Sequence, residues 1–461
     1  KIGNANYDIG HLFGATGGGG NAGCIGCVCV TGQKGSGYTT STDPVGDNFD
    51  IDFVVHELGH QFGANHSFSN SNEGSGVNKE VGSGVTIMGY AGITPYDTHL
   101  HSIDVFHAAN IAQVQTNMAT KTCQTTVAIT HSAPVVNAGA DWTIPLSTPF
   151  MLTGSATDAG GAGALTYAWE QNDNAGAAQT NATSAASATK ATGPNWVNYQ
   201  DSASPIRYFP VMSSILAGST TTAGLDVTAE ALSSVTRTLN FRLTVRDNVL
   251  GQGQTNFDDM IVTVANKTAL TVTMAANTSY PVGSAQTVVW TGATGANGHS
   301  TIAGGTNVDI SFSSDNGVTW TTLLANTPND GTQSVTLPTG VAAPFCRFRV
   351  KASANIFFNI SPVFSVGYSV TNTCNTYSGT AMPIITATGF PANQIGTVNV
   401  PMTGNISSIA VINNITHSYL SDVITDISSP TNPNTYVKAY NRFCGTTNGS
   451  LNLKMNKLNS Y

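Results

Sequence analysis

The chain has 461 residues, and at about 150 residues per domain that length points to about three domains and excludes a single small module. Its 17 Lys and Arg against 25 Asp and Glu give a net charge of −8, which leaves no basic footprint for a phosphate backbone and excludes a nucleic-acid partner. Only 9% of residues are charged, against about 25% in an average soluble chain, yet 40% are apolar. The surface must therefore be Asn, Thr, Ser and Gly around packed cores, because disorder couples few apolar residues to high net charge.

In chain order, residues 1–124 come first and hold seven of the ten His, at positions 11, 56, 60, 66, 99, 101 and 107. Two helices are expected here. The first runs from a cap within residues 47–50 through Phe53, Val54, Val55 and Leu58 and stops near Gly63. The second follows Ser102 as its cap, because Ile103, His107, Ile111, Val114 and Met118 recur at helical spacing. From about residue 133 the pattern changes to short alternating strands broken by Gly, Asn and Pro, with a nearly all Ala, Thr, Ser, Asn and Gly loop over residues 172–191. New strand series begin near residues 266 and 371. No apolar run approaches the roughly 18 residues needed to span a bilayer.

Residues 56–66 read His-Glu-Leu-Gly-His-Gln-Phe-Gly-Ala-Asn-His. His56 and His60, four apart, project from one helical face and can share a cation at about 2.0 to 2.1 Å. Glu57 lies beside the cation rather than on it. Gly63 supplies the turn that returns His66 as a third ligand. At the chain's own residue frequencies this pattern is expected by chance on the order of 10⁻⁵ times, so ordinary core or surface histidines are a poor explanation.

Ile87-Met88-Gly89-Tyr90 follows 22 residues after His66. Together the two segments resemble the metzincin zinc endopeptidases, with Met88 where that family has its Met-turn. The stretches around Tyr7 to Phe13, Gly20-Asn21-Ala22 and Gly82 to Gly92 are similar to the bacterial secreted relatives of the reprolysins. The resemblance implies Zn²⁺ held by His56, His60 and His66, and Glu57 as general base in peptide hydrolysis. It also implies an edge strand at Gly20, Asn21 and Ala22 that pairs with extended substrate. Tyr90 stands where some metzincins have a Tyr that reaches the metal or the tetrahedral intermediate, a packed Tyr being the alternative. The residue after His66 is Ser67, where reprolysins proper have Asp. Metzincin catalytic domains have a further helix and two strands before the segment like Tyr7 to Phe13. The expectation is thus the C-terminal part of a catalytic domain, with the N-terminal part either a separate chain among its partners or a stretch of the same protein outside this sequence.

Residues 133–266 resemble an immunoglobulin-like domain of the polycystic-kidney-disease type, and residues 267–369 read as a second β-sandwich. Residues 370–461 resemble the start of the P domain of proprotein convertases, most clearly over residues 414–422. The fold class expected is therefore a partial α+β metzincin domain followed by all-β sandwiches, mainly β overall. Asp247, Asp258 and Asp259 are candidates for Ca²⁺ between strands, with turn carboxylates as the favoured alternative. Cys24, Cys27 and Cys29 leave a thiolate metal site open, against a single disulfide with Cys123 as one partner. Ser313 to Trp320 matches the Asp-box, read here as a turn device. The resulting expectation is a secreted or cell-surface, extracellular zinc endopeptidase acting on protein or peptide. A non-catalytic binding or adhesion fragment is the competing reading, in which the β domains carry the function.

Overall fold

A computed structural model describes residues 2–160, 163–368, 375–379, 395–401, 409–417, 424–429, 432–441 and 449–457. It divides into two compact units, Lys1–Val370 and Thr371–Tyr461. Within the second unit, Ile409–His417 pairs antiparallel with Gly449–Lys457, and Ile424–Ser429 with Asn432–Asn441. The part of the P-domain-like motif over residues 418–422 lies outside the described residues, as do Cys374 and Cys444.

The chain is mainly β, as its alternating strands and scarce helical periodicity require. The first unit opens with a three-stranded sheet of β1 (His11–Gly14), β2 (Gly18–Asn21) and β3 (Gly37–Ser41) in the order β1-β3-β2. β3 runs parallel to β1 and antiparallel to β2, which leaves β2 on an edge. A helical run then begins at Asp47–Phe49, passes through a π-helical stretch Asp50–Val55 and ends as α1, His56–Phe62. No side chain caps its start, which follows Gly46, so the expected cap at residues 47–50 is instead a first turn carrying Asp47. It ends where expected: Gly63 adopts φ 116° and its N–H bonds the Gly59 and His60 carbonyls. A side chain there would cost about 1–2 kcal/mol.

The second helix, α2 (Ala108–Met118), starts later than its periodicity implies. Its cap is His107, whose ring accepts from the Ala109 N–H at 3.1 Å, not Ser102. Ser102 instead gives its N–H to Asp52, and residues 103–105 run non-helically beside residues 85–87, bonded as Ile103 N–H to Val85 O and Ile87 N–H to Val105 O. Tertiary backbone pairing has displaced the first turn of the expected helix.

Two sandwiches follow. In the first, a four-stranded sheet brings together Trp142–Pro145, Thr255–Ala265, Arg237–Arg246 and Thr166–Gln171. In the second, one sheet centres on Ala285–Thr291 and another on Asn307–Ser313 and Ala343–Ala352. One hydrophobic cluster, from Ala138 to Val366, includes Trp169, Trp196, Phe241, Trp290 and Phe348 and fills both. The Asp-box residues close the hairpin between Asn307–Ser313 and Thr321–Pro328. There the Asp315 carboxylate receives the Thr319 N–H at 2.9 Å, and Trp320 Nε1 donates to Gly317 O at 3.1 Å. The Asp315 carboxylate is spent inside the turn, while Asn316 ties the turn to the neighbouring strand, giving its N–H to Phe345 O at 3.0 Å and accepting from Arg347 Nε at 2.7 Å.

The single expected disulfide is two: Cys24–Cys27 and Cys29–Cys123. All three thiols of the 24–29 cluster are consumed, so no thiolate site remains there. Cys346 is free and buried. The loop these bridges staple lies on the end of α1, where Gly26 N–H bonds His60 O and Val28 N–H bonds Gln61 O.

Candidate metal centre

α1 presents His56 and His60 on one face, and the chain reversal at Gly63 returns His66 to the same place. Their ligating nitrogens gather within one cluster. Each ring is held by its other nitrogen. His56 Nδ1 faces Ile87 O at 2.7 Å, His60 Nδ1 faces Ala64 O at 2.8 Å, and His66 Nδ1 faces the Glu73 carboxylate at 2.9 Å. Carbonyl and carboxylate oxygens only accept, so each Nδ1 must carry its proton and each Nε2 a lone pair.

The three Nε2 atoms converge, His66 standing 3.2 Å from His56 and 3.0 Å from His60. Three lone pairs at that separation repel one another and cannot be hydrogen bonds. Four donors set tetrahedrally at about 2.05 Å from an ion stand about 3.3 Å apart, so the spacing fits zinc. Burial, reinforced by the neighbouring rings, pulls His56 and His66 down to about 3, and burial also lowers His60. Neutral imidazoles are the metal-binding form. The donor set therefore fits the cation that the sequence motif implies.

The surroundings fix these rings. His66 lies between Phe68, stacked at 4.7 Å, and Tyr90, edge-on at 4.5 Å. Tyr90 also approaches His56 at 5.5 Å, and burial, then the Glu73 and Glu57 charges, push its phenol up to about 12. Met88 is fully buried beneath the site. A Cβ on Gly59 would lie 2.5 Å from its sulfur, so the glycine between the two helical histidines lets Met88 pack on α1.

Glu57 is buried beside β2. Burial raises its carboxyl to about 7, against the opposing N–H of Ala22. A Cβ on Gly20 would lie 2.5 Å from Glu57 Cγ and 2.6 Å from Oε1. Gly20 and Ala22 thus touch the carboxylate, and the edge strand and Glu57 form one wall.

Other sequence candidates are used elsewhere. His11 bonds Gln61 and Thr39, both at 2.8 Å, tying α1 to the sheet. His101 pairs with Asp52 at 2.8 Å. Asp259 pairs with Arg242, and Asp258 accepts the Ala138 N–H, so among the described residues Asp247, Asp258 and Asp259 form no carboxylate cluster.

Two carboxylates were missed by sequence reasoning. Glu73 orients His66, and Glu80 lies fully buried behind Ser67 and the Met-turn. The Ser67 hydroxyl, next to His66, donates to Glu80 at 2.5 Å, so a carboxylate from 13 residues further on stands behind this segment. The available signal was their rarity: in a chain with 25 acidic residues, Glu57, Glu73 and Glu80 all fall within 24 positions.

Residues 1–118 match the family described as Metallo-peptidase family M12B Reprolysin-like. The N-terminal segment is thereby similar to the metallopeptidases of a family that uses zinc. No curated protein matches the chain. Among solved structures, it is similar to immunoglobulin domains 1–5 of Sidekick-1, at 10% identity over 54% of this chain and 40% of that one, with a TM-score of 0.15. The fibronectin(III)-like modules of Clostridium thermocellum CbhA are similar at 8% identity over 52% and 100%, with a TM-score of 0.16. Drosophila N-cadherin EC1-4 is similar at 9% identity over 62% and 63%, with a TM-score of 0.18. No helix among the described residues is long and apolar enough to cross a membrane.

Proposed function

We propose that the chain is an extracellular zinc endopeptidase of the metzincin type, with His56, His60 and His66 as metal ligands, Glu57 as the proton-transfer group and β2 as the substrate-binding edge. Bound there, zinc would supply Lewis-acid polarisation of the scissile carbonyl and a lowered pKa for water. The observation that carries the reading is the convergence of three unprotonated Nε2 atoms next to a buried carboxylate that also touches an edge strand.

The residues divide the work as follows. An extended peptide adds to the free edge of β2 through backbone hydrogen bonds, which accept any unfolded sequence. Glu57 lies against that strand, so the peptide bond held there comes within its reach. Its near-neutral carboxyl suits both halves of the proton transfer. It takes the proton of the attacking water as the oxygen bonds to the carbonyl carbon, then delivers that proton to the amine nitrogen as the C–N bond breaks. Met88 supports the site from below, and Tyr90 packs on two of the rings. The two disulfides support an oxidising, extracellular setting. We assign residues 1–124 to the catalytic part and residues 133–266, 267–369 and 370–461 to successive β domains.

The test is Glu57→Gln in the whole chain. It is expected to retain one equivalent of zinc and to lose hydrolysis of casein, while the wild type cleaves in a chelator-sensitive way. Cleavage by Glu57→Gln at the wild-type rate would refute the assignment of Glu57. A wild-type chain that neither binds zinc nor cleaves would instead support a binding protein.

A further inference from the structure

We propose that the first β-sandwich is a working support of the metal centre, acting through a buried contact between Asn198 and Glu80 that holds the Met-turn and the segment of His66. This rests on the metal-centre reading above. Glu80 is 1% exposed and its carboxylate accepts five hydrogen bonds, all from neutral donors. Four come from the metal-site segments: the hydroxyls of Ser67 and Thr86 and the N–H groups of Val85 and Thr86, the latter two at 2.9 and 3.0 Å. The fifth is Asn198 Nδ2 at 3.2 Å, from the sandwich.

The Ser67 bond leads to His66 by one backbone link, and the Val85 and Thr86 bonds lead to Ile87, whose carbonyl faces the His56 ring. Ser67 adjoins His66, gives its N–H to Met88 O at 3.1 Å and receives the Glu80 N–H at 3.0 Å. Thr86 precedes Ile87, whose carbonyl orients His56. The Glu80 carboxylate is therefore the point at which two of the three histidines are fixed together, and Asn198 is a positioning residue acting through it.

Asn198 is itself anchored in the sandwich, since Val197 N–H bonds Ala229 O at 3.1 Å. Val85 packs with Val197 and Ala229, with Ile103 and Tyr199 against them, and Val81 packs with Ala186 and Ala231, so sandwich residues supply much of the surface that buries this segment. The small-residue stretch over 172–191 has a role in the same contact. Ala175 N–H bonds Asn78 O, Asn181 N–H bonds Asn70 O, and Ser184 O accepts from Gly82. Bulky side chains would hold these backbones apart. Lys79 Nζ adds a bond to Asn172 O at 2.8 Å.

The experiment measures zinc affinity of the full chain by competition with a chromogenic chelator, for the wild type, Asn198→Ala and Glu80→Gln. Phe358→Leu, in the second sandwich, is the control for loss of stability alone. Outer-shell changes typically weaken metal binding by about 10- to 100-fold, and we expect about tenfold for Asn198→Ala and more for Glu80→Gln, which puts an amide donor among donors. Phe358→Leu should lower the melting temperature and leave the zinc affinity of the folded protein unchanged. Wild-type affinity in folded Asn198→Ala overturns the inference while the metal reading stands. A wild type without zinc affinity overturns both. Should Glu80→Gln not fold, Asn198→Ala carries the test, because it leaves four of the five bonds in place.

Discussion

Gly20→Ala isolates the position of Glu57 from its chemistry. The new Cβ would lie 2.5 Å from Glu57 Cγ, 2.6 Å from Oε1 and 2.8 Å from Cδ. Ordinary carbon contacts begin at about 3.5 Å, so the side chain must move by about 1 Å. The alternative is movement of β2, which its pairing with β3 opposes. Glu57 is flexible enough to shift, at about 0.5–1.5 kcal/mol of rotamer cost, while alanine in a strand gains about 0.5–1 kcal/mol over glycine. The backbone at Gly20 does not need a positive φ. Net stability should therefore change by less than about 1 kcal/mol. A catalytic group displaced by about 1 Å costs about 10²-fold, or about 2.7 kcal/mol of transition-state stabilisation. The assay is kcat on a fluorogenic peptide together with zinc content and melting temperature. We expect a kcat loss of about 10²-fold with one equivalent of zinc retained, because the three atoms nearest the new Cβ all belong to Glu57 and not to a histidine. Gly18→Ala, whose Cβ would meet nothing within 4 Å, should be silent. A Gly20→Ala enzyme with kcat within about twofold of wild type would show that Glu57 is not where the chemistry needs it.

Further variants test the surroundings of the site. Glu73→Ala should weaken zinc binding about tenfold, at the low end of outer-shell effects because its side chain is 43% exposed, as read by chelator competition. Gly59→Ala places a Cβ 2.5 Å from Met88 Sδ and 3.0 Å from Phe106 Cε1. It should lower stability by about 1–2 kcal/mol in urea unfolding, since overpacking costs about 1–3 kcal/mol and the gain in helix propensity returns at most about 1. An unchanged urea midpoint would mean that the Met-turn does not rest on α1.

The centre was legible to the extent that it is local. His56, Glu57, His60, Gly63 and His66 follow one another within 11 positions, and helical spacing plus one left-handed glycine is enough to bring the three rings together. The start of α2 was not legible, because Ile103 and Val105 satisfy helical periodicity and backbone pairing to the Met-turn equally well, and only the pairing partner decides between them. Glu73 and Glu80 were invisible for a related reason. Their partners lie 7 and 13 residues back in an irregular loop, where no period relates sequence distance to direction.

The low charge and the abundance of small residues, met first as composition, take on a specific meaning in the tertiary structure. Three histidines at zinc-ligand spacing, the mainly β character and the sandwich-like cores follow from the residues alone, because these depend on residue type and short-range period. That Glu73 and Glu80 brace His66 and its neighbours, that Gly20 and Ala22 touch Glu57, and that Asn198 reaches the Glu80 carboxylate emerges in the folded chain alone. Those contacts join segments up to 118 residues apart, and their geometry is set by how complementary surfaces close on one another rather than by any local preference.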